Sequence, residues 1–207
     1  MTSVLIIGGG GMIGQKLASS FSKNDSLTLL DIGFPNKNQS NARKMIGSVG
    51  DPEIIENSLK DFPEVIYYLA SVVSGEAEAD FSKGWDVNIH AFWAFLSLVK
   101  KLNEKSQGQY KPKIIFTSSI AVFGSPFPNQ IPYDFIAAPR TSYGAQKASC
   151  ELMLNDFSRK GFCEGLAIRL PTICVRPGKP NLAASSFFSG IIREPLSGIN
   201  AQLPVST

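Results

Sequence analysis

A chain of 207 residues, 43% hydrophobic and 18% charged, has the composition of a globular protein with one compact domain and room for the start of a second. Its formal charge of +3 is spread without a basic run longer than two residues, which argues against a nucleic-acid or membrane-surface partner. Cys150, Cys163 and Cys174 follow neither a disulfide framework nor a CxxC spacing, and His90 is the single histidine, so the sequence predicts reduced thiols, no His-based zinc site and a cytoplasmic protein without a leader or a membrane span.

Residues 4–7 (Val-Leu-Ile-Ile) are apolar and rich in β-branched side chains, and they stop at Gly8, the pattern of a strand buried on both faces. A helix is expected over 12–21, with Met12, Ile13, Leu17, Ala18 and Phe21 on one side. A second strand spans 27–30 and closes at Asp31, a polar loop covers 34–44, and a third strand is expected over 45–49. Pro52 opens a helix over 52–60, followed by a strand at 65–69 and a long helix over 86–102. A strand at 113–117, a helix over 142–159 and a strand at 165–170 complete the series. This alternation predicts a Rossmann-like, doubly wound α/β fold on a parallel sheet with right-handed crossovers. From Pro171 onward, Pro177, Pro180 and Pro195 punctuate short apolar stretches. The expected organisation is a dinucleotide-binding and catalytic domain over 1–170, and over 171–207 the incomplete start of a smaller substrate-binding region.

Gly8-Gly9-Gly10-Gly11-Met12-Ile13-Gly14 lies between the first strand and the first helix. It satisfies both G-x-G-x-x-G (Gly9, Gly11, Gly14) and G-x-x-G-x-x-G (Gly8, Gly11, Gly14). A flexible loop is the bland alternative, but a glycine cluster placed after a buried strand and before a helix lets the backbone approach a pyrophosphate at a helix N-terminus. Gly8, Gly11, Met12, Ile13 and Gly14 are therefore candidate cofactor contacts. Asp31 follows Gly11 by 20 residues at the end of the second strand. A carboxylate there accepts the adenosine ribose hydroxyls and repels a 2′-phosphate, which favours NAD over NADP. Asp51 reads equally well as an adenine contact or as a helix N-cap before Pro52.

Tyr143 and Lys147 stand one helical turn apart, on one face. A phenol near pKa 10 needs about 4 kcal/mol to become a base at neutral pH. One ammonium at about 4 Å, with an effective dielectric of about 20, supplies roughly that much. Such a pair also arises as surface decoration. Its weight comes from Ser119, at the tip of the fifth strand, where ligands of such sheets bind and where a hydroxyl can hold the reacting oxygen; a turn-capping serine is the competing reading.

Taken together, Gly8 to Gly14, Tyr68-Leu69-Ala70-Ser71, Asn88, Ser118-Ser119-Ile120-Ala121-Val122-Phe123-Gly124 and Tyr143 to Lys147 resemble the extended short-chain dehydrogenases over nearly the whole chain. The resemblance implies that Tyr143 is the proton acceptor, that Lys147 binds the nicotinamide ribose and that Ser119 orients substrate. It also implies that Asn88 supports the site and that Leu69, Ala70 and Ser71 line the cofactor cleft. Phe123 departs from the tyrosine usual in that family. Within the family, residues 169–181, 184–187 and 192–196 resemble the D-erythronate dehydrogenases, which oxidise the 2-hydroxyl of a four-carbon sugar acid with NAD. Arg176 and Arg193 are candidate donors to the substrate carboxylate, with surface ion pairs as the alternative.

Residues 89–99 are apolar nearly all round, where a helix packed only on a sheet should carry a polar stripe. The expectation is a homodimer through the helices containing residues 88–102 and 142–157, with His90 at the interface rather than in catalysis. Two rivals accompany the dehydrogenase reading: a nucleotide-sugar epimerase or dehydratase with tightly held NAD, and a truncated, non-catalytic NAD-binding remnant.

Overall fold

A computed structural model describes residues 2–22, 24–35, 42–178, 183 and 185–204. Six parallel strands, β1 (Ser3–Ile7), β2 (Ser26–Asp31), β3 (Arg43–Ile46), β4 (Val65–Tyr68), β5 (Lys113–Ser119) and β6 (Glu164–Leu170), lie in the order β3-β2-β1-β4-β5-β6. This is the doubly wound arrangement anticipated above. The chain winds outward in both directions from β1 and β4, so the crevice for a ligand opens beyond the carboxyl ends of that pair. Two bifurcated hydrogen bonds mark the place. The Leu69 and Ala70 amides both donate to the Ile7 carbonyl, at 2.8 and 3.1 Å, and the Gly8 and Gly9 amides both donate to that of Leu30, at 2.8 and 3.0 Å.

The helices α1 (Met12–Ser20), α2 (Pro52–Ser58), α5 (Ala91–Lys105) and α6 (Ser142–Arg159) follow the expected positions. The main core lies between the sheet and α2, α5 and α6. There Tyr68, Phe92, Phe95 and Phe116 form one aromatic cluster with ring centroids 4.7–6.3 Å apart. Each such side chain stabilises the fold by about 1.5–3 kcal/mol on burial. Val4, Ile6, Ala18 and Leu29 form the smaller core beneath α1. Val4 to Ile7 are buried throughout, as expected of a central strand.

Several expectations shift. The third strand runs over Arg43–Ile46 rather than 45–49, because it pairs with β2 from Thr28 to Asp31 and this register sets its ends. The short helices α3 (Ser74–Ala79) and α4 (Phe81–Trp85) fill a stretch without clear periodicity, and α7 (Phe187–Leu196) lies in the proline-punctuated tail. The long helix begins with a π-turn, Asp86–His90, in which the Ala91 amide donates to the Asp86 carbonyl five residues back. Of the three free thiols, Cys150 and Cys163 are buried and Cys174 is exposed. Residues 179–182 and 184, part of the stretch that resembles the sugar-acid dehydrogenases, lie outside the described residues. Among the described residues no helix is long and apolar enough to cross a membrane, and no group of three or more His, Cys, Asp or Glu side chains could hold a metal ion.

Candidate active site

The glycine loop closes tightly on itself. Gly8 has φ +89°, and a Cβ there would stand 2.7 Å from the Ala70 nitrogen. At Gly14 a Cβ would meet the Gly8 carbonyl oxygen at 2.4 Å, so α1 can pack this closely on β1 only with a glycine. Gly11 differs: its added Cβ would touch only the Gly8 oxygen at 3.4 Å and would otherwise enter open space. Gly11 is also the N-cap of α1, where no side chain caps the helix and no acid sits in the first turn. By contrast, Asp51 Oδ1 caps α2 through the Glu53 amide at 3.0 Å, and Thr141 Oγ1 caps α6 through the Gly144 amide at 3.1 Å. The first turn of α1, Met12, Ile13 and Gly14, thus presents an uncapped N-terminus to the crevice, which fits an anionic pyrophosphate.

Asp31 ends β2 beside this loop, with Oδ2 accepting from the Gly10 amide at 2.8 Å and Oδ1 from Ile32 at 2.7 Å. These bonds fix the carboxylate where the sequence placed it, and each oxygen keeps further lone-pair capacity for a ribose hydroxyl. Asp51 is the helix cap, which accounts for it without a ligand. Leu69, Ala70 and Ser71 carry the chain from β4 past the glycine loop.

On the other side of the crevice, the Ser71 and Ser119 side chains lie near enough to the Tyr143 hydroxyl to act on its titration. Three separately expected residues are therefore gathered in one place. Ser119 also accepts from the Ala121 amide at 3.1 Å, which orients it. Lys147 is almost wholly buried; its Nζ donates to the Thr117 carbonyl at 2.9 Å and lies over the rings of Phe116 and Tyr143, 4.7 and 5.6 Å from their centroids. Burial draws its pKa down to about 8. Burial also pushes the Tyr143 phenol above its ordinary value, while the Ser71 and Ser119 hydroxyls pull it back. The ammonium is not among the groups that shift the phenol in this structure. Lys147 is turned toward the strand carbonyl, and the groups that favour the phenolate are two serine hydroxyls.

Asn88, buried on the π-turn, spans the site from behind. Its Oδ1 accepts from Ser71 Oγ and the Val72 amide, each at 3.0 Å, and its Nδ2 donates to the Val72 carbonyl at 3.3 Å and to Gln146 Oε1 at 2.7 Å. The Cys150 thiol reaches the Asn88 carbonyl at 3.1 Å. The sequence reading found Asn88 but missed its partner Gln146, and also Glu151, which receives the Ser118 hydroxyl and a two-pronged Arg169 pair at 2.8–3.2 Å. Arg169 stacks over Phe123, the aromatic that departs from the family pattern, 4.8 Å from its centroid. A signal was present: polar Gln146, Lys147 and Glu151 all fall on the inner side of one helix, and buried polar groups need partners.

The candidate substrate arginines are placed less simply. Arg193 Nη1 donates to the Arg176 carbonyl at 2.7 Å, and Nη2 pairs with Glu194. The Arg176 amide in turn donates to Ser189 Oγ at 3.0 Å. The two-pronged fork expected of Arg193 is engaged within the chain's own tail. His90 is exposed and pairs with Asp86 at 3.0 Å.

Comparison with known proteins agrees with this geometry. The sequence model of the NAD dependent epimerase/dehydratase family matches residues 4–205. A D-erythronate dehydrogenase of Cupriavidus necator is 43% identical over 99% of this chain, and one of Haemophilus influenzae is 41% identical over 98%. The chain spans 65% of the length of each of these relatives. Among solved structures, a nucleoside-diphosphate-sugar epimerase from Agrobacterium tumefaciens superposes with a TM-score of 0.87 at 45% identity, over 99% of this chain and 63% of that one. The UDP-glucose 4-epimerase of Thermus thermophilus, solved with NAD, shares the fold with a TM-score of 0.83 at 18% identity, over 97% of this chain and 64% of that one.

Proposed function

The chain belongs to the NAD dependent epimerase/dehydratase family, and on that premise we propose that it carries the cofactor site and catalytic groups of an NAD-dependent dehydrogenase that oxidises the 2-hydroxyl of a small sugar acid, with D-erythronate as substrate. The observation that carries this reading is Lys147, buried one turn from Tyr143 with Nζ 5.6 Å from the centre of its ring, where Ser71 and Ser119 also lie near the phenol. Similarity to the two D-erythronate dehydrogenases supports the substrate.

The uncapped first turn of α1, with Gly8, Gly11, Met12, Ile13 and Gly14, would hold the pyrophosphate, and Asp31 the adenosine ribose. Leu69, Ala70 and Ser71 would wall the cleft, with Lys147 at the nicotinamide ribose. When bound, NAD supplies the acceptor for the hydride leaving the substrate carbon. Tyr143 takes the proton of the substrate hydroxyl. Ser119 has one lone pair engaged by the Ala121 amide and turns its proton to the reacting oxygen. Residues 171–207 begin the substrate region, with Arg176 and Arg193 as candidates for the carboxylate.

Assembly is part of the proposal. Trp93 of α5 is half exposed and meets Phe157 of α6 edge-on at 5.6 Å, an aromatic surface suited to a second copy in a homodimer. The free thiols favour a reducing, cytoplasmic location. A second reading, a nucleotide-sugar epimerase, draws on the 45% identity to the Agrobacterium tumefaciens protein. Incubation with NAD and D-erythronate, alongside other sugar acids, should release NADH in proportion to substrate. Conversion of a nucleotide sugar without accumulating NADH, and no NADH from any sugar acid, would replace the first reading with the second.

A further inference from the structure

Lys147 and Glu151 stand one turn apart on α6 and hold consecutive residues of β5. Lys147 Nζ donates to the Thr117 carbonyl at 2.9 Å, and the Glu151 carboxylate accepts from the Ser118 hydroxyl. Ser119 follows directly. We propose that Glu151 is a positioning residue: through Ser118 it fixes the tip of β5 against α6, and so sets where Ser119 stands relative to Tyr143 and Lys147. The inference rests on the dehydrogenase reading, in which those three residues act on substrate and cofactor.

The tip of β5 needs such a hold. From Lys113 to Phe116 the strand is paired on both sides, with β4 and with β6. From Thr117 to Ser119 only the β6 register continues, because β4 ends at Tyr68 and the crevice opens beside it. Thr117 keeps a side-chain bond across that gap, Oγ1 to the Tyr68 carbonyl at 3.2 Å. A strand end paired on one side opens more readily than the middle of a sheet.

Glu151 supplies the hold by bridging the register. Ser118 and Arg169 are directly paired residues of β5 and β6, and one carboxylate meets both. Oε1 accepts from Ser118 Oγ and from Arg169 Nε at 3.0 Å, while Oε2 accepts from Arg169 Nε at 3.2 Å and Nη2 at 2.8 Å. One helix and two strands are thus joined at a single group. Arg169 answers the charge of a carboxylate whose side chain is only 14% exposed, as a two-pronged pair does by itself. Ser118 is not required for that. Its bond adds a link to the residue before Ser119, and the hydroxyl, buried with its residue, has no water to turn to instead.

Two measurements separate a hold on the site from a contribution to folding. Ser118→Ala cuts the link and leaves the Glu151–Arg169 pair whole. Amide hydrogen exchange, followed by mass spectrometry on the protein without cofactor, should quicken by about ten-fold or more from Thr117 to Ala121, the scale of one lost hydrogen bond to a charged group, while β1 exchanges as in the native protein. With the sugar acid that reduces NAD, kcat should fall by about ten- to a hundred-fold at a temperature where the variant is folded, with KM for NAD held. Glu151→Ala should lose as much, and the double variant no more than either alone. Glu151→Gln keeps an acceptor for Ser118 without the charge, so it should recover most of kcat while its thermal midpoint falls. Unchanged exchange at the tip in Ser118→Ala, a native kcat in that folded variant, losses that add in the double variant, or no recovery in Glu151→Gln each overturns the proposal. Should Glu151→Ala fail to fold, Ser118→Ala and Glu151→Gln decide. Absence of NADH from every sugar acid with the native protein would instead remove the wider reading, and the exchange at the tip would then judge the hold by itself.

Discussion

On the β1–β2 side of the crevice the groups facing a ligand are peptide amides of one continuous loop, Gly8 to Gly14, with a single carboxylate, Asp31, folded against it. On the β4–β5 side they are side chains drawn from four places: Ser71 after β4, Asn88 on the π-turn, Ser119 at the tip of β5, and Tyr143 and Lys147 on α6. The first side depends on what is missing, since a Cβ at Gly8 or Gly14 would strike backbone. The second depends on what is buried and partnered, with Asn88 and Lys147 almost inaccessible to water. On the proposed reading the first side serves cofactor binding alone, whereas on the second Tyr143 and Ser119 serve chemistry and Lys147 serves both.

The largest expected effect separates the two sides outright. Tyr143→Phe should reduce turnover by about 10²–10⁴-fold, the worth of a positioned proton acceptor, while NAD affinity by calorimetry stays within a few-fold. Near-native rates in this variant would erase the chemical side of the comparison.

On the amide side, Gly14→Ala must displace backbone that would otherwise lie 2.4 Å away, whereas Gly11→Ala meets only a 3.4 Å contact. Gly14→Ala should lower both the thermal midpoint and NAD affinity, the latter by about ten-fold or more, on the order of 1.4 kcal/mol. Gly11→Ala should lower affinity alone, because its methyl enters the ligand's space rather than the protein's. Equal loss of stability in both variants would mean that the open space at Gly11 is not a binding surface.

A further effect concerns Lys147 and is read as stability. Burial holds its pKa at about 8 in the folded chain, below the ordinary lysine value of 10.5. Between those values the unfolded chain binds the proton more readily than the folded one, so this group's contribution to stability rises with pH through the window. Below pH 8 its burial penalty is fully present, on the order of 3 kcal/mol. Denaturant titrations should show the native protein gaining on Lys147→Met between pH 8 and 10.5. A constant difference across that window would show that the ammonium is better solvated than its burial implies.

Much of this is legible in the sequence. The order of strands and helices, the glycine loop at the first crossover, Asp31 at a strand end, and the placing of Ser119, Tyr143 and Lys147 all follow from local rules: β-branched runs, helical spacing and glycine's missing side chain. Asp51 shows the limit of such rules, since capping and ligand binding ask for the same residue at the same place, and only the 3.0 Å bond to the Glu53 amide identifies the cap. Arg193 shows it again, because an arginine's fork is free or engaged according to neighbours that spacing does not reveal.

Sequence alone therefore determined the sheet, its switch point and the residue types that flank it, because those depend on periodicity and on backbone freedom encoded one position at a time. Tertiary structure decided which polar groups meet. The π-turn that brings Asn88 onto Ser71 and Gln146, and the turning of Lys147 toward the Thr117 carbonyl, arise from elements distant in sequence. Their hydrogen bonds form only because burial leaves each donor and acceptor no water to turn to.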